Sequence, residues 1–176
     1  MKGYLFLDVD GVLNAFAARG IPDGWKLAQV KLPGFHHPLP ILYDPGIGAK
    51  LLQLAQDFDC ELVWCTTWQD QANEHIAPLV GLPELPFIPL TPPKMHASVG
   101  QTKAFSIRSW LTEKADHLVP FVWFEDETDA GYSLQQYKVR PPWLIVQCNP
   151  RDGLTDGRLI EARAYLIEAT KREPVL

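Results

Sequence analysis

Four short apolar runs punctuate the chain: Tyr4 to Val9, Glu61 to Thr66, Pro120 to Phe124 and Trp143 to Gln147. They show little polar alternation, the pattern of strands covered on both faces of a parallel sheet. Between them, apolar residues recur at helical spacing. GIGAKLLQLAQDF follows Asp44 and Pro45, which predicts a helix capped by Asp44 with proline in its first turn. The stretch from Trp68 to Leu79 reads as helical, and so does Thr102 to Ala115, with Ala104, Ile107 and Leu111 on one face. In the latter, Thr102 is the predicted cap and Lys103 lies in the first turn. Pro83, Pro86, Pro89, Pro92 and Pro93 mark an irregular connection around the apolar piece PFIPL, and Thr155 is placed to cap a closing helix through RLIEARAYLIEAT.

Strands alternating with helices predict an α/β fold, a three-layer sandwich built on an open parallel sheet. The rhythm fails between Ala15 and Tyr43, where glycines and prolines surround the alternating piece WKLAQVKL. That segment is expected to form a small hairpin-like flap, residues 15–43, following the Asp-Gly break after the first strand. The expected organisation is one domain over 1–176, with no large cap.

Composition narrows the class without changing the fold. The 176 residues are 47% apolar and 21% charged, as in ordinary globular proteins. YLFL before Asp8 is too short for the apolar part of a signal peptide, and no run reaches membrane-spanning length. A cytoplasmic protein without a membrane partner is expected. Cys60, Cys65 and Cys148 form no CxxC pair, so they are read as buried free thiols rather than disulfides or zinc ligands. The net charge of −5, with lysine and arginine scattered, weighs against broad binding to nucleic-acid phosphates.

The chemistry is expected at the carboxyl ends of the strands, where open α/β sheets place their ligand crevices. The first strand ends in Asp8 and Asp10, the second in Thr66 and Thr67, the third in Glu125, Asp126 and Glu127. Clustered carboxylates repel, and a hard divalent cation such as Mg²⁺ relieves that repulsion through oxygen coordination. A phosphoryl group is the natural guest of such an ion, with Lys103 as a candidate ammonium beside it. An Asp-Gly pair alone suits a turn, but a turn needs one aspartate, and here acids recur at a second strand end. His36 and His37 have no partner at ligand spacing and are read as exposed and idle, while Trp25 or Trp68 is a candidate to stack on a ring at the cleft.

The strand running into DVDGVLN resembles the first motif of the haloacid dehalogenase (HAD) superfamily, an apolar strand followed by DxDG. ELVWCTT is similar to the second motif, Lys103 in GQTKAF to the third, and FVWFEDE to the fourth, all in the expected order. VWCTTW, WFEDE and GLTDGRL further resemble HAD-like domains associated with RNA-repair proteins. The resemblance implies a phosphatase in which Asp8 is the nucleophile and Asp10 the general acid and base. It implies that Lys103 and a hydroxyl of Thr66 or Thr67 contact the phosphoryl group, Thr66 being preferred as the first residue past the apolar strand, and that Gly11 gives the substrate room. Mg²⁺ would be held by the Asp8 carboxylate, the Asp10 carbonyl and Asp126, with Glu125 in support. The fourth motif opens with Glu125 where the family more often has aspartate, leaving Glu125 or Asp126 as the principal ligand, with Asp126 preferred for its shorter arm.

Three functional classes follow. The first is a Mg²⁺-dependent phosphomonoesterase working through an aspartyl-phosphate. The acidic net charge favours a nucleotide or other small phosphate ester as substrate, whereas the subfamily resemblance favours a nucleic-acid end. A non-catalytic phosphate-binding module on the same fold is the second, disfavoured by the retention of both Asp8 and Asp10. A phosphotransferase is the third.

Overall fold

The computed structural model describes residues 3–116, 118–140 and 142–171, so the ends of the expected 1–176 domain, 1–2 and 172–176, lie outside the described residues. Four parallel strands form the central sheet: β1 (Gly3–Leu7), β4 (Cys60–Trp64), β5 (Phe121–Glu125) and β6 (Trp143–Gln147), in the order β4-β1-β5-β6. The first strand in sequence is therefore an inner strand, which explains why every residue of β1 is buried. Strands β2 (Lys26–Val30) and β3 (Leu39–Tyr43) pair antiparallel as a separate hairpin within 15–43. No large cap is present among the described residues.

The pleat of β1 sends alternate side chains into two cores. Leu5 and Leu7 join α1 (Ile47–Asp57) and α6 (Asp156–Lys171) through Leu51, Leu54 and Leu166. On the other face Tyr4 and Phe6 meet Ile107 and Leu111 of α4 (Val99–Glu113) and Leu134 of α5 (Ala130–Gln136). The result is the three-layer α/β arrangement expected of the alternating pattern.

Local features depart from the expected ones for identifiable reasons. The stretch from Trp68 to Leu79 is broken into α2 (Gln71–His75) and α3 (Ala77–Val80), because Pro78 lacks the N–H that would continue the first helix. Asp44 is not the cap of α1, whose N-cap is Gly46; the Asp44 carboxylate instead accepts from the Gly46 amide at 2.8 Å in the entering turn. Nor does Thr102 cap α4. Ser98 does, accepting from the Gln101 amide at 3.0 Å while the Gln101 side chain returns to the Ser98 amide, so Lys103 sits in the second turn. Helix α5 was not expected from its short, Gly- and Ser-containing sequence. Thr155 stands directly before α6, its carbonyl accepting from the Arg158 and Leu159 amides. PFIPL adds a one-residue extension to the sheet, Phe87 bridging Trp64. No helix among the described residues is long and apolar enough to cross a membrane.

Candidate active site

The register of the sheet assembles the site. Leu7 of β1 lies opposite both Trp64 of β4 and Phe124 of β5, so the next residues, Asp8, Cys65 and Glu125, arrive at the same level. The pleat turns Asp8 and Glu125 toward the face that carries α4, where Lys103 projects inward. Its Nζ lies 2.6 Å from Asp8 Oδ2 and 3.0 and 2.8 Å from the two oxygens of Glu125. All three side chains are buried. Lysine and glutamate are almost never interior unless paired, and here each has its counter-charge.

Further hydrogen bonds hold these carboxylates in place. The Val9 amide donates to Asp8 Oδ1 at 2.8 Å, and the Asp126 and Glu127 amides each donate to Glu125 Oε1 at 3.1 Å. Gln147 at the end of β6 donates to the Asp126 carbonyl at 2.7 Å, fixing the turn that carries the next acid. Gly11, with φ of +75°, lies so close that a Cβ there would stand 2.2 Å from Asp126 Oδ2. A side chain at position 11 would therefore be doubly opposed, by the left-handed backbone and by the carboxylate.

Asp8, Glu125 and Asp126 each bring a carboxylate oxygen within 4.8 Å of the others. Burial, followed by the Asp8 charge, pushes the Asp126 carboxyl above its ordinary range, and burial does the same to Glu127. At Glu125 burial and Asp8 also push the carboxyl up, against the pull of Lys103 and the Glu127 amide. Burial would lower the Lys103 pKa, but the Asp8 and Glu125 carboxylates outweigh it and the ammonium is held above its usual value. Three carboxylates facing one ammonium leave an excess of two negative charges. An all-oxygen donor set with that excess fits a hard divalent cation such as Mg²⁺.

Asp10 stands apart from this cluster. It is half-buried, and its oxygens accept from neutral donors: Asn14 Nδ2 to Oδ1 and Trp68 Nε1 to Oδ2, both at 2.9 Å. Asn14 in turn accepts from the Leu42 amide of β3 at 3.0 Å, tying Asp10 to the hairpin. Thr66 is buried just past β4, its hydroxyl accepting from the Trp68 amide at 3.4 Å, whereas Thr67 is exposed. Thr67, Trp68 and Asp10 border a cleft of about 430 Å³ that the hairpin closes with Leu32, Phe35 and Leu39. A broader depression of about 800 Å³ carries Asp70, Glu74 and Glu84 and none of the strand-end acids, so its charge is of the wrong sign for a phosphate.

Among the residues singled out from sequence, Asp8, Lys103, Glu125 and Asp126 converge, Gly11 abuts Asp126, Thr66 follows the end of β4, and Asp10 and Thr67 border the cleft. Trp68 borders the cleft, but Trp25 packs near Gly153 and Ala15 instead. His36 and His37 are exposed and do not border the cleft. The thiols are free, and burial pushes Cys60 to about 11 and Cys148 to about 12, so they stay protonated. Asn14, Gln147 and the Trp68 indole bond to Asp10 were not read from sequence. Of these, only Asn14 carried a local signal, lying four residues after its partner.

No curated protein and no solved structure matches the chain. Residues 4–159 match the family described as the HAD domain in Swiss Army Knife RNA repair proteins. That span contains the four strands of the parallel sheet save Gly3, and every acid of the cluster, and the chain belongs to this HAD family.

Proposed function

We propose that the protein is a Mg²⁺-dependent phosphatase that hydrolyses phosphomonoesters through an aspartyl-phosphate. The observation that carries this reading is the buried Lys103 bridging Asp8 and Glu125, with Asp126 beside them. A purely structural core gains little from such a group of charges, since apolar residues of similar volume do as well or better. As a device that aims one carboxylate at phosphorus, it has a purpose.

In the first step an Asp8 oxygen attacks phosphorus and the P–O bond to the leaving group breaks, while Asp10 gives its proton to the departing oxygen. In the second, Asp10 takes a proton from water as the water oxygen attacks phosphorus, and the Asp8–phosphorus bond breaks to release inorganic phosphate. The Asn14 and Trp68 bonds support this role by holding Asp10 at the cleft in one orientation. Lys103 neutralises and aligns Asp8, Thr66 donates its hydroxyl to a phosphoryl oxygen, and Gly11 and Thr67 border the substrate. Asp8, the Asp10 carbonyl and Asp126 would hold Mg²⁺, which when bound offsets phosphoryl charge. Glu125 supports them chiefly through Lys103, because its oxygens are already engaged by the ammonium and two backbone amides.

The substrate is a nucleotide or a phosphorylated polynucleotide end, the latter favoured by the RNA-repair setting of the family. Three free thiols suit a reducing, cytoplasmic setting. Hydrolysis of an aryl phosphate with and without Mg²⁺ tests the reaction: activity should require the ion and fall at least about 10³-fold in Asp8→Asn. Inactivity across nucleotides, phosphorylated DNA and RNA ends and sugar phosphates would favour a non-catalytic phosphate-binding module. Transfer of phosphate to an added alcohol in preference to water would mark a phosphotransferase.

A further inference from the structure

We propose that the cleft between the hairpin and the strand ends is a base-binding slot for the nucleoside that leaves with the ester oxygen. This slot serves the phosphatase chemistry proposed above and rests on that reading for its place in the reaction. Its location follows from Asp10, the one acid shared between the cleft wall and the proton-transfer machinery, so whatever occupies the cleft adjoins the leaving oxygen. Its chemistry follows from its lining. Phe16, Phe35 and Trp68 supply aromatic surface, and Leu32 and Ile41 supply an apolar floor.

Two of those rings are left open on the cleft wall: Phe16 is 58% and Phe35 53% exposed. A planar, weakly polar occupant would cover them, and nucleobases stack on such rings whatever their identity. The polar rim separates a base from a plain phenyl ring. Thr67 offers a hydroxyl and Gln71 an amide carrying both donors and an acceptor, and neither side chain has a hydrogen-bond partner among the described residues. A base edge presents matching donors and acceptors, whereas a phenyl ring presents none. The volume, about 430 Å³, lies within the range of small-molecule sites.

The base can belong to a free nucleotide or to the last nucleotide of a strand, since the chemistry recognised is the same. Steady-state kinetics with Mg²⁺ would compare a nucleoside monophosphate, a phosphorylated oligonucleotide end and ribose phosphate, which keeps the sugar and phosphate but lacks the base. The expected result is a kcat/KM at least about tenfold higher for whichever base-bearing substrate is turned over than for ribose phosphate. Phe35→Ala and Phe16→Ala, both at exposed positions that do not threaten folding, should each lower that ratio several-fold. An equal kcat/KM for ribose phosphate and the base-bearing substrates overturns the slot and leaves the phosphatase standing. Equilibrium binding of the same ligands to Asp8→Asn reads the slot without turnover. Base-dependent affinity, weakened by adding Phe35→Ala, together with a parent protein that hydrolyses none of these ligands would keep the slot and overturn the phosphatase. Affinity that ignores the base would overturn the slot.

Discussion

The strand-end cluster and the hairpin cleft invert the ordinary partition of residues in opposite directions. In the cluster, Lys103 and Glu125 are buried to 1% and 0% exposure; in the cleft wall, Phe16 and Phe35 stay more than half exposed. Burying charge is unfavourable unless it is paired, and exposing aromatic rings forgoes hydrophobic stabilisation. Both departures meet at Asp10, between the buried charges and the open rings. Places where local rules are broken together are where function is expected, because the rest of the fold must stabilise the arrangement. The two regions are also anchored differently: the acids hang from hydrogen-bonded strands in one register, whereas the hairpin is held by apolar packing of Val30, Ile41 and Tyr43 and by Leu42, whose amide donates to Asn14 and whose carbonyl accepts from the Ala15 amide.

That contrast can be broken most forcefully from the charged side. Lys103→Met leaves Asp8 and Glu125 buried without their counter-ion and should destabilise the protein by about 3–5 kcal/mol in chemical denaturation. Adding Glu125→Gln to that variant should restore part of the loss; a double variant no more stable than the single one would show that the ion pair is not what holds this region. Gly11→Ala comes next. Its left-handed backbone accounts for about 1–2 kcal/mol of destabilisation. Displacement of Asp126 should weaken Mg²⁺ binding about tenfold or more by titration calorimetry, so that the loss of metal affinity outruns the loss of fold.

Trp68→Phe sharpens the comparison at the meeting point. It keeps a smaller ring on the cleft wall and removes the N–H that reaches Asp10, so kcat should fall about tenfold while KM for a nucleotide changes less. A change confined to KM would move Trp68 wholly to the substrate side. The smallest effect belongs to His36→Ala and His37→Ala, exposed on the hairpin and outside the cleft lining. Both activity and stability should stay within about 0.5 kcal/mol of the parent.

The sheet was legible because its strands are continuous apolar runs, and three of the four end where they change to acids or hydroxyls. Asp8, Asp10, Thr66 and Asp126 could be named for the same reason, as polar residues at the ends of segments that otherwise bury everything; Lys103 was named from its place near the start of a helix and from the family resemblance. Helix boundaries were less legible. The start of α4 turned on Ser98 and Gln101, a reciprocal cap outweighed in the pattern by the apolar face that begins later, and the break before α3 turned on the missing amide of Pro78. The link from Trp68 to Asp10 spans 58 residues, and the bond from Gln147 to Asp126 spans 21. No local pattern encodes either, since each exists only once the parallel register has brought separate strand ends level.

Sequence alone therefore determined the inventory: which residues are strands, which acids stand at their ends, and that a lysine lies on the helix that follows. Tertiary structure decided the division of labour among them. It engaged Glu125 with Lys103 and left Asp126 against Gly11, and it gave Asp8 an ammonium and Asp10 two neutral donors. It also folded 15–43 so that Phe16 and Phe35 border the cleft. The physical reason is one of range. Burial and periodicity are written into neighbouring residues, whereas the partner of a carboxylate depends on which strands adjoin and at what register.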